Sequence, residues 1–373
     1  MKFTSLVESL KRSVVIAERA TGKKLTLPIL GNLLLRTEKG QLKISATDLE
    51  IGLNVYVAGK AEEDDGVAIS AKTLSGFLAN LSEEKVIIES KDNTLKAKSG
   101  NYEAMLQGMP YGDFPIIPEI KTDKYIEIDN DLLANSLNQV INSAGYSSGR
   151  SELNGIYIDF NEQGFKIAAT DSFRLSEKSI NLNHIKTNSK EGRSAIIPLR
   201  TAQEVLKICQ EFKSGDGAKV KIYLDSNQIL FDFGSLTLIS RLLEGNYPKY
   251  ENIIPAKFET KAMVAKRSFY EAAKITGLFS SKINDIKLKI KPEQKEITIE
   301  AQDAALGQGQ SKIDAKIEGE PLEISFNYRY LLDGLNNINS NQVFIGFNQD
   351  TGPALLKASD DGSYIYILMP IKI

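Results

Sequence analysis

Ile44-Ser45-Ala46-Thr47-Asp48, Ile167-Ala168-Ala169-Thr170-Asp171 and Ile299-Glu300-Ala301-Gln302-Asp303 are three versions of one phrase. The first and second begin 123 residues apart and the second and third 132. A third of the 373-residue chain is about 124 residues, so the spacing predicts three tandem copies of one domain. The surroundings repeat as well. Each phrase is followed by an apolar run: Ala68-Ile69-Ser70-Ala71, Ala195-Ile196-Ile197-Pro198 and Glu323-Ile324-Ser325-Phe326. A helix pattern with apolar residues every three or four positions comes next, at Leu74/Phe77/Leu78/Leu81, Val205/Leu206/Cys209 and Leu331/Leu332/Leu335/Ile338. Alternating strands then follow at 86–89, 220–224 and 343–347. Two Pro-bearing phrases, 112–118 and 245–255, read as linkers because proline removes a donor and stops a strand. The expected domains are 1–121, 122–253 and 254–373.

Composition is that of an ordinary soluble protein, 42% hydrophobic and 25% charged, and each third is long enough to bury a core. No apolar run reaches the 18 or more residues of a membrane span, and Met1-Lys2-Phe3-Thr4 does not open a signal peptide. A single cysteine excludes an internal disulfide and fits a reducing compartment. The chain is therefore read as cytoplasmic, with no membrane contact.

Catalytic constellations are missing from the pattern. His184, the one histidine, lies in a polar stretch without a neighbouring Cys or acid at ligand spacing, which predicts an exposed loop residue. Cys209 falls on the apolar side of its helix and is expected in the core. No phosphate-binding glycine motif is complete. Asp48, Asp171 and Asp303 end their phrases where a turn-forming Asp is expected and belong to different repeats. The expectation is a protein with no catalytic residue, cofactor or metal, built to hold a partner.

Charge points to that partner. Six helix windows (5–20, 70–81, 131–144, 199–213, 266–279 and 327–338) carry 11 basic and 7 acidic residues, against 35 and 41 elsewhere. Basic pairs recur seven apart, or two helical turns, at Arg12/Arg19, Arg200/Lys207 and Arg267/Lys274, so each pair shares a face. Lys11 and Lys72 add to the helical excess. Solvated helix faces would also explain any one pair; three pairs in equivalent places favour a polyanion. The modest excess fits loose, sequence-independent contact with duplex DNA.

Leu25-Thr26-Leu27-Pro28-Ile29-Leu30-Gly31-Asn32, Ala46-Thr47-Asp48-Leu49-Glu50, Leu153-Asn154-Gly155, Ala169-Thr170-Asp171-Ser172-Phe173-Arg174-Leu175 and Leu368-Met369-Pro370-Ile371-Lys372-Ile373 together resemble, over the full length, the bacterial sliding clamp, the DNA polymerase III beta subunit. The resemblance implies an α+β fold: three tandem clamp-type domains, each two helices backed by antiparallel sheet, with two chains closing head to tail into a ring around duplex DNA. It implies an accessory subunit of a DNA-directed DNA polymerase. Its partners would be the replicative polymerase, clamp loader and repair proteins, bound through short Leu/Phe-containing motifs.

By motif, the resemblance places a peptide cleft at Leu153, Thr170, Ser172, Phe173, Arg174, Leu175, Pro248, Ile253, Asn327, Tyr330, Pro353, Leu368, Met369, Pro370 and Ile371. The apolar C-terminus supports this independently: Met369 and Pro370 are expected in the cleft, Tyr366 and Ile367 in the core. DNA contacts are implied at Lys23, Lys24 and Arg150, beside the helical Lys11, Arg12, Arg19, Lys72, Arg200, Lys207, Arg267 and Lys274. Leu106, Leu278 and Phe279 are expected at the dimer seam. Asn252 stands where these clamps often have arginine, so a polar anchor is expected to be missing there. Ser151 and Glu152 replace aromatics seen in some relatives. Two other readings remain open on residues alone: a monomeric peptide-binding scaffold that does not encircle DNA, and a nuclease using the three aspartates, which would need them to converge.

Overall fold

The computed structural model describes residues 1–22, 27–38, 40–146, 149–189, 191–212 and 218–372. Among these are six α-helices: α1 (Val7–Glu18), α2 (Ala71–Ala79), α3 (Asn130–Val140), α4 (Leu199–Glu211), α5 (Lys266–Thr276) and α6 (Tyr328–Asn337). Each lies within one of the six expected windows or a residue outside it. Their starts are set by local chemistry. The Ser70 hydroxyl accepts from Thr73 N–H ahead of α2, and the Asn327 amide oxygen accepts from Arg329 and Tyr330 N–H at the start of α6. Asp129 likewise accepts from Asp131 and Leu132 N–H in α3.

The repeated phrase forms the strands Gln41–Thr47, Gly164–Thr170 and Glu296–Asp303. In all three copies the Asp side chain closes a turn. Asp48 accepts from Glu50 and Ile51 N–H at 3.1 and 2.8 Å, and Asp171 from Phe173 and Arg174 N–H at 2.9 and 3.0 Å. Asp303 accepts from Ala305 and Leu306 N–H at 2.8 and 3.1 Å. The turn-forming expectation holds, since one oxygen of each carboxylate accepts from its own backbone.

Three repeats in sequence become two compact units in space. One comprises Met1–Leu132, Ile185–Ser189 and Glu204–Leu242; the other comprises Leu133–His184, Lys190–Gln203 and Leu243–Ile373. Strand pairing between repeats is the reason. In the first unit Ile51–Val57 pairs antiparallel with Leu236–Arg241, which makes one 14-stranded sheet among the described residues. In the second, Arg174–Ile180 pairs with Tyr364–Leu368 and a 12-stranded sheet results. The middle repeat therefore gives five strands to the first sheet and four to the second, among the described residues.

Within the second unit, Phe269 of α5 and Leu331 and Leu335 of α6 pack on a sheet core that includes Ile299, Ile345 and Tyr366. Gly334 permits this closeness: a Cβ there would stand 2.5 Å from the Tyr366 ring. The Tyr366 hydroxyl donates to Tyr330 O at 2.8 Å, which ties the last strand to α6.

Candidate functional site

The turn at Asp171 organises the cleft residues. Ser172 takes a positive φ of 78°, while the Thr170 hydroxyl accepts from Ser172 N–H and donates to Arg174 O. The turn leaves Phe173 62% exposed although Leu175, two residues on, is fully buried. Across the strand pair, Arg174 faces Leu368 and Met369 N–H donates to Phe173 O at 2.9 Å. Ile371 N–H continues to Ser325 O at 2.8 Å. The C-terminal residues are thus strung by main-chain bonds between the turn and the strand Leu322–Asn327.

Arg174 is the anchor. Its guanidinium donates to Asp171 and Asp333 and lies 4.2 Å from the centre of the Tyr330 ring. Burial alone would lower its pKa, but the Tyr366 hydroxyl and the carboxylates of Asp333 and Asp171 raise it. A permanently charged side chain with two acids and a ring fixes the wall of the site. Behind it, Tyr250 donates to Glu177 at 2.6 Å, and Tyr157 stacks on Tyr247 with centroids 4.9 Å apart.

The expected cleft residues fall into two groups. Ser172, Phe173 and Ile253 are exposed, and Arg174, Pro248, Tyr330, Pro353, Met369, Pro370 and Ile371 are half-buried. Leu153, Thr170, Leu175 and Leu368 are buried in the protein's own packing. Asn327 is half-buried and serves as the α6 cap. Tyr366 and Ile367 lie in the core, as expected. Sequence reasoning missed Asp333 as the second partner of Arg174; its place on the first two turns of α6, near Tyr330, was the available signal.

Among the basic residues, Arg12 and Arg19 have partners within the chain. Arg12 donates to Glu211 O and lies 4.8 Å from the Phe212 ring centre, and Arg19 pairs with the Glu211 carboxylate. Both are tied to the end of α4, Arg12 through the Glu211 carbonyl and Arg19 through its carboxylate. Lys11 pairs with Glu8, Arg150 with Glu152, Lys207 with Glu204 and Arg267 with Glu271. Arg200 is exposed. Lys72 and Lys274 are exposed and make no ion pair among the described residues. Lys23 and Lys24 lie outside the described residues. Such surface pairs are worth about 0–1 kcal/mol and exchange readily for a phosphate.

At the expected seam, Leu278 is 67% exposed and Phe279 is half-buried against Gly309. Leu106 is a correction: it is 7% exposed because its side of the strand Tyr102–Met109 faces the core. The exposed apolar residues of that strand are Tyr102 at its start, Met105 and Met109. His184 is exposed and Cys209 buried, as expected. No described helix is long and apolar enough to cross a membrane.

Burial pushes the Cys209 thiol up to about 12 and raises the Tyr247, Tyr250, Tyr364 and Tyr366 hydroxyls above their usual value. Unfolded, these groups ionise at about 8.5 for Cys and about 10 for Tyr. The stability from keeping them neutral is complete below those values and is lost as pH rises beyond them towards the folded pKa values. An alkaline titration should therefore show Tyr247, Tyr250, Tyr364 and Tyr366 ionising only with loss of the folded circular dichroism signal. Smooth ionisation of all 14 tyrosines in the folded protein would contradict this packing.

Three repeats of paired helices on antiparallel sheet define a clamp-type fold. Models of the DNA polymerase III beta subunit match it domain by domain: the N-terminal domain over residues 1–118, the central domain over 127–249 and the C-terminal domain over 251–372. The chain belongs to the DNA polymerase III beta subunit family, and is thus a sliding clamp without catalysis of its own. It is 28% identical to the beta sliding clamp of Synechococcus elongatus, with all of both chains covered. The Pseudomonas aeruginosa beta subunit structure superposes with a TM-score of 0.93 at 26% identity over the whole of both chains. The Bacillus subtilis sliding clamp gives the same two values, covering 100% of this chain and 99% of that one. A Pseudomonas aeruginosa clamp 25% identical to this chain, with both chains wholly covered and a TM-score of 0.93, was solved bound to griselimycin.

Proposed function

We propose that two copies of this chain close head to tail around duplex DNA and tether a replicative polymerase and other partners through a peptide cleft. The match along all three domains carries this reading. The expected boundaries 1–121, 122–253 and 254–373 belong to it. The positive excess of the helices over an acidic remainder supports DNA contact through the helices, loose enough to permit sliding.

The seam would join the first domain of one copy to the third of the other. Two exposed strand edges support this. Tyr102–Gln107 pairs on one side only, with Thr94–Ser99, and Gly307–Asp314 only with Glu296–Asp303, among the described residues. Unpaired edges of this length invite a partner strand, and both are flanked by exposed apolar groups, Tyr102 and Met105 on one, Ile275 and Leu278 near the other.

The cleft would take Leu/Phe-bearing segments between Phe173, Tyr330, Ile253 and Met369. That a relative's clamp has been solved with griselimycin supports a ligand surface on this fold.

Retention on DNA tests the whole reading. Once loaded by its clamp loader, the protein should stay on closed circular DNA and run off the same molecule after linearisation. Equal retention on both would favour the monomeric scaffold. Changing Arg200, Lys207, Arg267 and Lys274 to Ala should leave the fold intact and flatten the dependence of log affinity on log salt by up to about 3–4. An unchanged salt slope would remove these helices from the DNA contact.

A further inference from the structure

A second pocket, of about 370 Å³, lies in the first unit and is lined by Thr47, Leu49, Ile51, Ile116, Pro118 and Ile239, with Glu50 and Arg241 at its rim. The repeat makes it a counterpart of the proposed cleft. Thr47-Asp48-Leu49-Glu50-Ile51 aligns with Thr170-Asp171-Ser172-Phe173-Arg174, and Leu49 and Ser172 share a φ of 78°. Ile51 pairs with Ser240 as Arg174 pairs with Leu368. The next bond matches too: Arg241 N–H donates to Glu50 O at 3.0 Å where Met369 N–H donates to Phe173 O at 2.9 Å. The linkers correspond in the same way, Ile116-Ile117-Pro118 with Ile253-Ile254-Pro255.

Chemistry at this pocket suits a ligand. Ile117 lies against Gly52, where a Cβ would come within 2.6 Å of it, so the linker is pressed onto the strand and its neighbour Ile116 projects, 93% exposed. Leu49, which also lines the pocket, is 46% exposed. Two aliphatic side chains in water over an apolar floor form an unsatisfied hydrophobic surface. Arg241 is exposed and pairs with no carboxylate within 4 Å among the described residues, so the rim offers a free cation where the other site has Met369.

We propose that this pocket is a second peptide-binding site, taking a short segment that presents a leucine or phenylalanine beside one carboxylate. The apolar side chain enters between Leu49 and Ile116, and the carboxylate pairs with Arg241. The proposal rests on the cleft reading above, since it takes its form from that site.

Calorimetric titration of the full chain with the synthetic peptide acetyl-Gly-Ser-Asp-Leu-Phe-amide tests both sites at once. The unaltered protein should show a tighter and a weaker event. Leu49→Asp with Ile116→Asp alters only exposed side chains and should weaken the second event by about tenfold or more while leaving the first unchanged. Arg241→Gln should weaken the second event too, and raised salt should mimic that change. Deleting residues 369–373 should abolish the tighter event and leave the weaker one. If the deletion removes all binding, or the Leu49/Ile116 variant binds as the unaltered chain does, the second site is overturned. If the tighter event survives the deletion while the Leu49/Ile116 variant still loses the weaker, the cleft assignment fails and this one stands.

Discussion

Replacing Met105 and Leu278 together by Asp should turn a particle near twice the 41.2 kDa chain mass into one of the single-chain mass. Both side chains are about two-thirds exposed, at 68% and 67%, so neither substitution opens a cavity and the separated chain should fold as before. The loss falls on association. A stable interface removes about 800 Å² per partner from water, and its centre draws on exposed apolar groups such as these. A carboxylate forced into that centre without a cation costs several kcal/mol, and in a head-to-tail ring every seam receives one from each side. Each 1.4 kcal/mol changes the dissociation constant about tenfold, so the pair of charges weakens the dimer by several powers of ten. Light scattering would show the change directly. An unaltered mass, with the thermal melt also unaltered, would put the seam elsewhere.

The choice of Met105 over Leu106 shows where sequence reading stops. Alternation tells that neighbours in a strand face opposite ways, but a shift of one residue exchanges the faces, and only pairing with Thr94–Ser99 decides that Leu106 points inward. The helices were legible because the three-and-four spacing of Leu74/Leu78 or Leu331/Leu335 reports burial within the element itself. The aspartate turns were legible for the same reason: Asp171 bonds to residues two and three positions on. Links across long separations were not. Glu211 reaches Arg19 over 192 residues and Asp333 reaches Arg174 over 159, and no local pattern encodes either pair. The same limit explains why the three repeats, each matched by its own domain model, gave no sign of the strand pairing that joins them into two sheets among the described residues.

Removing residues 369–373 should raise the dissociation constant for Leu/Phe-bearing peptides at the tighter site by about a hundredfold or more while leaving the dimer intact. The cut falls after Leu368, so the strand Tyr364–Leu368 keeps its pairing with Arg174–Ile180 and Tyr366 keeps its bond to Tyr330. The core is therefore untouched. What goes is the apolar strip hung between Phe173 O and Ser325 O, with Met369, Pro370 and Ile371 half-buried along it. Most binding energy at a site of this kind comes from a few well-packed side chains, and Met adapts its shape to ligands that differ. Phe173, exposed on the facing turn, loses its neighbour at the same stroke. Phe173→Ala should reproduce part of the loss without shortening the chain, which separates the missing contacts from any loosening of the last strand. Peptide affinity unchanged in both variants would mean that Arg174, Tyr330 and their acids brace a surface with no ligand.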